Sequence, residues 1–240
     1  KERGKALMCC AVPHEDMAID VAGFTGATAE AMETFHASVA QMERLSPDVM
    51  RVMLQLPAGQ RLLFAAGQYI NILLDDGQRR AFSFANRPGA SDQIELHVRL
   101  VPGGRWTTHV FDGMKPGDNV RFEGPLGQFT LRESPHPILF VAGATGFAPI
   151  KSIVEDAFER GVQRPMRLYW GVRQRKDLYM LEQCEQWHRE HPNFSVVPVV
   201  SEPSEDDGWT GRTGLVHEAM LADFPDLSGH EVYLCGSVKM

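Results

Sequence analysis

The sequence predicts an antiparallel β barrel followed by an α/β domain built on a doubly wound parallel sheet. Short β-forming runs separated by turn residues occupy residues 36–123, and this spacing is typical of a barrel or a sandwich. After Pro135 the runs alternate between strand and helix, which is the pattern of a parallel sheet. A chain of 240 residues also exceeds the usual domain size of about 100–150 residues, so two domains are expected.

Six runs are predicted as strands of the barrel. Pairs of turn-forming residues, such as Pro47-Asp48 and Pro88-Gly89, separate them. The predicted strands are Ser38–Leu45, Val49–Leu56, Tyr69–Leu74, Arg80–Ala85, Gln93–Leu100 and Asn119–Phe122. The alternation of apolar and polar residues lapses in the range Trp106–Met114, so one short helix is predicted there.

The second half of the chain contains four predicted strands and three predicted helices. Its first strand is a continuous apolar run, as expected for a strand buried on both faces. The predicted strands are Ile138–Ala142, Met166–Gly171, Phe194–Val200 and Glu231–Cys235, and the predicted helices are Pro149–Arg160, Leu178–His191 and Leu215–Ala222. With a boundary near Ser134, the predicted domains span residues 36–134 and 135–240.

Composition and charge exclude several classes of protein. With 43% hydrophobic and 23% charged residues the chain resembles ordinary soluble globular proteins. Its net charge of -7 argues against nucleic acid as a partner, because phosphate binding needs clustered Lys and Arg. No apolar stretch approaches the roughly 20 residues that span a bilayer, so no membrane partner is expected. The four cysteines form no evenly spaced disulfide framework, which favours a reducing cytoplasm.

We interpret both ends of the sequence as truncations. Lys1 is not an initiator methionine, no apolar signal core follows it, and the chain ends shortly after a predicted strand. Residues 1–22 are predicted as a leading fragment, and residues 23–35, rich in Ala, Thr and Gly, as a linker. On this interpretation the second domain is incomplete at its C-terminal end.

The strand Arg80-Ala81-Phe82-Ser83 carries the first candidate site. A flavin dinucleotide presents a flat ring system and a doubly charged pyrophosphate, so its site needs a stacking face and a fixed cation. Arg80 and Phe82 lie on one side of the strand because side chains alternate, and Ser83 can offer its hydroxyl to the flavin N5. The alternative is a barrel strand with one surface arginine and one core phenylalanine.

Two glycines, Gly103 and Gly104, lead into the predicted short helix. Backbone N–H groups and threonine hydroxyls, that of Thr107 among them, are expected to face outward at this helix start, which would then bind phosphate. The alternative is an ordinary turn with a threonine N-cap.

A glycine turn, Gly143-Ala144-Thr145-Gly146, follows the first apolar strand of the second domain. At this position a parallel sheet binds the pyrophosphate of a dinucleotide, although the turn lacks the complete Gly-x-Gly-x-x-Gly pattern. Gly171 and Cys235-Gly236 end two further predicted strands on the same edge, so a crevice is predicted there. No base accompanies Cys235 in the sequence, and a buried thiol is the simpler interpretation of it.

In this order the motifs resemble those of the ferredoxin-NADP⁺ reductase-like flavoproteins. The closest resemblance is to the iron–sulfur flavoprotein reductases of the CDP-deoxyhexose reductase and oxygenase reductase kinds, and it covers nearly the whole chain. The resemblance implies that Arg80, Phe82 and Ser83 bind FAD, with Phe in place of the commoner Tyr. It assigns the segment from Gly103 and Gly104 to Thr107 to the flavin phosphates.

The resemblance also assigns residues of the second domain to the nicotinamide dinucleotide. They are Gly143, Thr145, Gly146, Gly171, Arg173 and Gly236. It further implies that Ser83 and Cys235 lie beside the reacting rings as the catalytic residues. The segment Gly4–Pro13 resembles the end of a plant-type ferredoxin domain, with Cys9 as the fourth ligand of a 2Fe–2S cluster.

The other three cluster ligands, expected in a Cys-x4-Cys-x2-Cys arrangement, are absent from this sequence, so a cluster is expected only in a longer form. The alternative for Cys9 is a coincidental pair with Cys10.

The resemblance implies an enzyme that transfers hydride from NADH or NADPH to FAD and then passes electrons to an iron–sulfur centre and a partner oxygenase or dehydratase. The loop after the second strand of the second domain carries basic residues and an acidic one, so the choice of nicotinamide stays open. They are Arg173, Arg175, Lys176 and Asp177. NADH is favoured by the resemblance to reductases with a ferredoxin domain. The alternatives are a stand-alone flavin or dye reductase, and a nucleotide-binding module without turnover.

Overall fold

The computed structural model of the chain describes residues 33–89 and 93–237. The predicted ferredoxin tail, residues 1–22 with Cys9, lies outside the described residues, as does the predicted linker up to residue 32. The structure describes residues 33–35 of that predicted linker. Thr34 and Phe35 belong to the first strand, so the strand begins earlier than predicted.

The first half of the described chain forms an antiparallel six-stranded sheet. Its strands are β1 (Thr34–Ser46), β2 (Val49–Gln55), β3 (Tyr69–Leu73), β4 (Arg79–Ser83), β5 (Gln93–Arg99) and β6 (Asn119–Leu126), in the order β4-β3-β6-β1-β2-β5. A bridge between Phe84 and Leu96 joins the two edges of the sheet. The sheet therefore closes on itself, as predicted for a barrel.

The barrel is closed around an apolar core to which every strand except β4 contributes buried apolar side chains. Ile70, Ile72, Leu96 and Phe122 are each at most 1% exposed. A single helix, α1 (Arg105–Asp112), connects β5 to β6 and buries Val110 against this core. The six predicted strands and the short helix between them are thus confirmed in number and order.

The second half forms a five-stranded parallel sheet flanked by helices. The strands are β7 (Ile138–Gly143), β8 (Met166–Val172), β9 (Phe194–Val200), β10 (Arg212–Thr213) and β11 (Glu231–Cys235), in the order β10-β9-β8-β7-β11. The helices are α2 (Phe147–Glu159), α3 (Leu181–Glu190) and α4 (Val216–Asp223). The predicted doubly wound fold is confirmed, with cores on both faces of the sheet.

Several element boundaries differ from the sequence-based expectation, and one strand is additional. Helix α2 begins at Phe147 rather than Pro149, directly after a 3₁₀ turn over Ala144–Gly146. A proline is tolerated there because the first turn of a helix needs no N–H partners. The two-residue strand β10 is not predictable, since so short a strand leaves no alternating pattern.

Among the described residues, no helix has the length and apolar character that crossing a membrane requires.

Candidate functional site

One cavity of about 1000 Å³ lies where one end of the barrel meets the carboxyl ends of β7, β8 and β11. This volume is at the upper end of the range typical of ligand pockets, about 300–1,000 Å³. Every described residue that the sequence predicted for the site lines this cavity. These residues are Arg80, Phe82, Ser83, Gly103, Gly104, Thr107, Gly143, Thr145, Gly146, Gly171, Arg173, Cys235 and Gly236.

The end of β4 supplies a cation, a ring and a hydroxyl to the cavity wall. The exposed guanidinium of Arg80 donates to the carbonyl oxygen of Arg79 at 2.9 Å and to the side chain of Gln78. Phe82 is half-buried and packs against the barrel core while also facing the cavity. Phe82 therefore belongs both to the barrel core and to the cavity wall. Ser83 ends the strand beside it.

The turn before α1 differs from the expectation in one respect. Thr107 does not face outward: its buried hydroxyl accepts from the Val101 amide at 3.1 Å and donates to the Gly104 carbonyl at 3.1 Å. A side chain at the third position of a helix can fold back onto the preceding turn in this way. The hydroxyl then makes its hydrogen bonds within the turn and does not offer them to a ligand. The N-cap is Gly104, not a threonine. What the helix start presents to the cavity is therefore backbone N–H groups.

The glycine turn of the second domain is held tightly between two strands. Ala144 adopts a positive φ of 48°, which is unusual for a residue with a Cβ. The indole N–H of Trp170, on β8, donates to its carbonyl oxygen at 3.0 Å. On the other side a Cβ at Gly146 would lie 2.1 Å from the carbonyl oxygen of Cys235. Only glycine fits at Gly146 without displacing β11.

The end of β8 lies against the start of α4. A Cβ at Gly171 would fall 2.5 Å from the Cβ of Val216, so glycine permits this close packing. In the loop that follows, Arg173 is exposed and its guanidinium lies 3.9 Å from Glu202. The carboxylate of Asp177 instead accepts from the backbone N–H of Gln174 at 3.0 Å and caps its own turn.

Cys235 lies on the wall of the cavity beside the Gly143–Gly146 turn, at the end of β11. Its thiol is half-buried, and burial raises the pKa of the thiol. The protonated thiol is therefore the form present at neutral pH. In residues 33–89 and 93–237, no three His, Cys, Asp or Glu side chains come together in a way suited to a metal ion.

A buried polar network that no motif of the sequence indicates lies at the back of the cavity. His97, on β5, lines the cavity, and its Nε2 lies 2.8 Å from a carboxylate oxygen of Glu95. The other oxygen of Glu95 accepts from Lys151 Nζ at 3.2 Å. The hydroxyl of Tyr179 lies 3.1 Å from His97 Nδ1. Glu95 and His97 alternate with apolar residues, a pattern that normally marks an outward-facing side, but here this side of β5 is covered by the second half of the chain.

The protonation states in this network follow from burial and from the neighbouring charges. Burial acts to raise the pKa of Glu95, but the hydrogen bond from His97 and the charge of Lys151 outweigh it, and the pKa is lowered. Burial lowers the pKa of His97, although Glu95 opposes this. Burial raises the pKa of Tyr179. A neutral imidazole thus donates from Nε2 to ionised Glu95 and accepts the phenol proton at Nδ1.

Comparison with known protein families matches both halves of the chain. The oxidoreductase FAD-binding domain profile matches residues 36–131, and the oxidoreductase NAD-binding domain profile matches residues 140–240. The chain is 40% identical over 238 residues to the CDP-6-deoxy-L-threo-D-glycero-4-hexulose-3-dehydrase reductase of Yersinia pestis, covering 99% of this chain and 71% of that protein.

Two further relatives support the same assignment. Reductase component 1 of the terephthalate 1,2-dioxygenase of Comamonas sp. is 38% identical over 237 residues, covering 98% of this chain and 70% of that protein. The crystal structure of the Amycolatopsis reductase GcoB superposes with a TM-score of 0.79 and 35% identity, covering 87% of this chain but only 63% of GcoB. The chain belongs to the family of FAD- and NAD-binding oxidoreductases, with a ferredoxin reductase-like fold.

Proposed function

We propose that this protein is an NAD(P)H-dependent FAD reductase that passes electrons to an iron–sulfur centre and on to a partner oxygenase or dehydratase. One observation carries the proposal: a single cavity joins the Arg80–Ser83 strand of the barrel to the Gly143–Gly146 turn of the parallel sheet. Two dinucleotides bound to these two halves would meet inside it. The names of the Yersinia and Comamonas relatives support a dehydratase or an oxygenase as partner.

The residues of the barrel end fit FAD. Arg80 provides a cation for the pyrophosphate, and the half-buried ring of Phe82 provides an apolar face. Gly104 and Trp106, at the start of α1, line the same cavity, so the unpaired N–H groups of this helix start offer a second phosphate contact. We assign the hydroxyl of Ser83 to the flavin N5, because Ser83 lies one residue beyond Phe82 on the same wall.

The residues of the parallel sheet fit a nicotinamide dinucleotide. The turn Gly143–Gly146 opens α2 at the point where the strand order reverses between β7 and β11, the usual dinucleotide site of such sheets. Cys235 and Gly236 close the cavity on the β11 side. We therefore assign Gly143, Thr145 and Gly146 to the pyrophosphate, and Cys235 to the nicotinamide end.

Bound FAD would supply the conversion of a two-electron donor into one-electron exits. The protein's own residues bind the phosphates, orient the two rings and exclude water from them. The protonated thiol of Cys235 fits a packing role beside the rings rather than a nucleophilic one.

The iron–sulfur centre belongs to a longer form of the protein in this proposal. Cys9 is its fourth ligand, and the other three ligands precede Lys1 in the full-length sequence. A cytoplasmic location follows from the need to keep these thiols reduced. A stand-alone flavin or dye reductase would instead lack the upstream cysteines, and determining the full-length sequence separates the two.

The experiment that tests the reductase function is an anaerobic titration of the purified protein. We expect a yellow protein with bound FAD whose long-wavelength flavin absorption is bleached by NADH or NADPH. A colourless protein that takes up no added FAD would contradict the proposal and favour a nucleotide-binding module without turnover. Bound FAD that neither nicotinamide reduces would contradict the assignment of the second half of the cavity.

A further inference from the structure

We propose that Lys151 is a positioning residue that sets the approach of the nicotinamide half of the cavity to its flavin half. The proposal rests on the proposed function, because it assigns a role in the transfer between the two bound cofactors. Lys151 lies on α2, the helix that begins directly after the Gly143–Gly146 turn. Lys151 itself does not line the cavity with the candidate site residues; it lies behind them.

Three oxygen atoms surround the ammonium group of Lys151. It donates to the carbonyl oxygen of Ala85 at 2.8 Å, to Glu95 at 3.2 Å and to Glu155 at 3.0 Å. The side chain is only 6% exposed. A lysine this deeply buried is rarely tolerated without such partners, so its site is specific for a cation.

The oxygen atoms belong to both halves of the molecule. Glu155 lies one turn further along α2, whereas Ala85 lies two residues beyond Ser83 at the end of β4 and Glu95 lies on β5. The ammonium group therefore joins the helix behind the glycine turn to the two barrel strands that border the flavin half of the cavity.

The next residue of α2 makes a second connection to the same segment. The buried hydroxyl of Ser152 donates to the carbonyl oxygen of Asn86 at 2.7 Å. Lys151 and Ser152 thus hold two consecutive carbonyl groups directly after β4. The side chain of Asn86 in turn accepts from the Glu95 backbone N–H at 3.0 Å. The end of β4 is therefore fixed to α2 and β5 together.

This arrangement determines the distance between the two halves of the cavity. A regular helix is rigid over a few turns, so displacing Lys151 along or across its axis displaces the glycine turn that precedes it. Transfer between two bound rings depends steeply on their separation, and a misplacement of about 1 Å costs on the order of a hundredfold in rate. Because the helix and its turn would move together, each half of the cavity would keep its contacts to its own ligand.

The test compares Lys151→Met with Lys115→Met, a substitution of an exposed lysine between α1 and β6. For each FAD-loaded protein, anaerobic stopped-flow measurement gives the limiting rate of flavin reduction by NADH or NADPH. FAD content, the Kd for the oxidised nicotinamide and the long-wavelength absorption of stacked nicotinamide and flavin rings are measured in parallel. We expect Lys151→Met to lower the limiting rate by about ten- to a hundredfold and to weaken the stacking absorption, with FAD content and Kd changed less than about twofold. Lys115→Met should match the unchanged protein.

Two more variants separate positioning from folding. Lys151→Met leaves Glu95 and Glu155 without their cation, so the pair Glu95→Gln with Lys151→Met restores the net charge of the original cluster. We expect its limiting rate to stay low although its thermal stability recovers. Ser152→Ala introduces no charge and should lower the limiting rate by a smaller factor. A limiting rate unchanged in Ser152→Ala and in the double variant overturns the proposal, as does a fall that only follows lost FAD. If the unsubstituted protein is not reduced at all, the proposed function fails instead.

Discussion

A Cβ atom at Gly146 would lie 2.1 Å from the carbonyl oxygen of Cys235. The turn after the first strand of the parallel sheet therefore touches the end of its last strand, and these two segments form one wall of the cavity. Cys235 pairs with Ala142 across β11 and β7, which places the thiol beside the turn. The contact explains why glycine is required at the fourth position of Gly143–Gly146.

Replacing Gly146 with Ala is expected to damage the nicotinamide half of the site and spare the flavin half. The added methyl group forces the turn or β11 to move, whereas the barrel residues are not touched by it. We expect the KM for the nicotinamide to rise, or kcat/KM to fall, by about ten- to a hundredfold while FAD content stays the same. Steady-state kinetics and the flavin-to-protein absorbance ratio measure both quantities.

A matched control for this substitution is Gly229→Ala. A Cβ at Gly229 meets no atom within 4 Å, so the variant should show unchanged kinetics. Equal kinetics for both variants would contradict the assignment of the Gly143–Gly146 turn to the dinucleotide.

Replacing Arg80 with Ala is expected to weaken FAD binding. The guanidinium is exposed at the cavity and is the cation assigned to the pyrophosphate, so its loss removes a charge-assisted hydrogen bond. We expect the Kd for FAD to rise about tenfold, measured by fluorescence titration of the apoprotein. Arg121→Ala, which removes an exposed barrel arginine paired with Asp75, is the control. An unchanged Kd in Arg80→Ala would show that another group binds the pyrophosphate.

Much of the fold and of the cavity wall is predictable from the sequence because their signals are local. The runs that became β2 and β5 alternate or are uniformly apolar over several residues, and the glycine turn before α2 follows directly on a buried strand. Such patterns depend on neighbours in the sequence alone. The carboxyl ends of parallel strands share one edge, so Gly143, Gly171 and Cys235 are brought together by topology without any knowledge of side-chain contacts.

The polar contacts behind the cavity are not predictable in this way. Lys151 stands in the helix among Ile150, Ile153 and Val154, which is a sign of an unusual lysine, but its partner Glu95 lies 56 positions away. Nothing in a single sequence links two such positions. Thr107 illustrates the opposite case: its partners are close in sequence, but the choice between an outward and an inward hydroxyl depends on the exact turn geometry.

Replacing Arg173 with Ala is expected to affect NADPH more than NADH. In the loop after β8, Asp177 caps its own turn and Arg175 donates to the carbonyl oxygen of Asp207 at 2.8 Å. The exposed Arg173 guanidinium instead lies at the cavity, 3.9 Å from the carboxylate of Glu202. A cation there interacts most strongly with the extra phosphate of NADPH. We expect the ratio of kcat/KM for NADPH to that for NADH to fall about three- to tenfold at low salt. If the ratio of kcat/KM values stays constant, the extra phosphate of NADPH binds away from Arg173. The control variant is Lys176→Ala.

His97 is expected to make the stability of the protein depend on pH. Its pKa is lowered from 6.5, chiefly by burial, so the unfolded chain binds a proton more readily than the folded one. The groups that face it are Glu95, Tyr179 and Lys151, with Arg51 contributing charge from β2. For an imidazole held neutral in the folded state, stability is complete above pH 6.5 and declines as the pH falls from there through the folded-state pKa.

Glu95 extends the same decline to lower pH. Its pKa is lowered from 4.5, so its contribution is present above that value and is lost as the pH falls through the folded-state pKa. From pH 6.5 down to the folded-state pKa of His97, the slope that His97 alone contributes is at most about 1.4 kcal/mol per pH unit, the value for one proton. Urea unfolding of the FAD-loaded protein between pH 7.5 and pH 5, roughly the range spanned by a titrating histidine, measures this slope. His97→Gln keeps a donor for Glu95 but cannot titrate, so its free energy of unfolding should fall less steeply over that range. Parallel slopes in the two proteins would mean that His97 is already charged in the folded state or does not contribute.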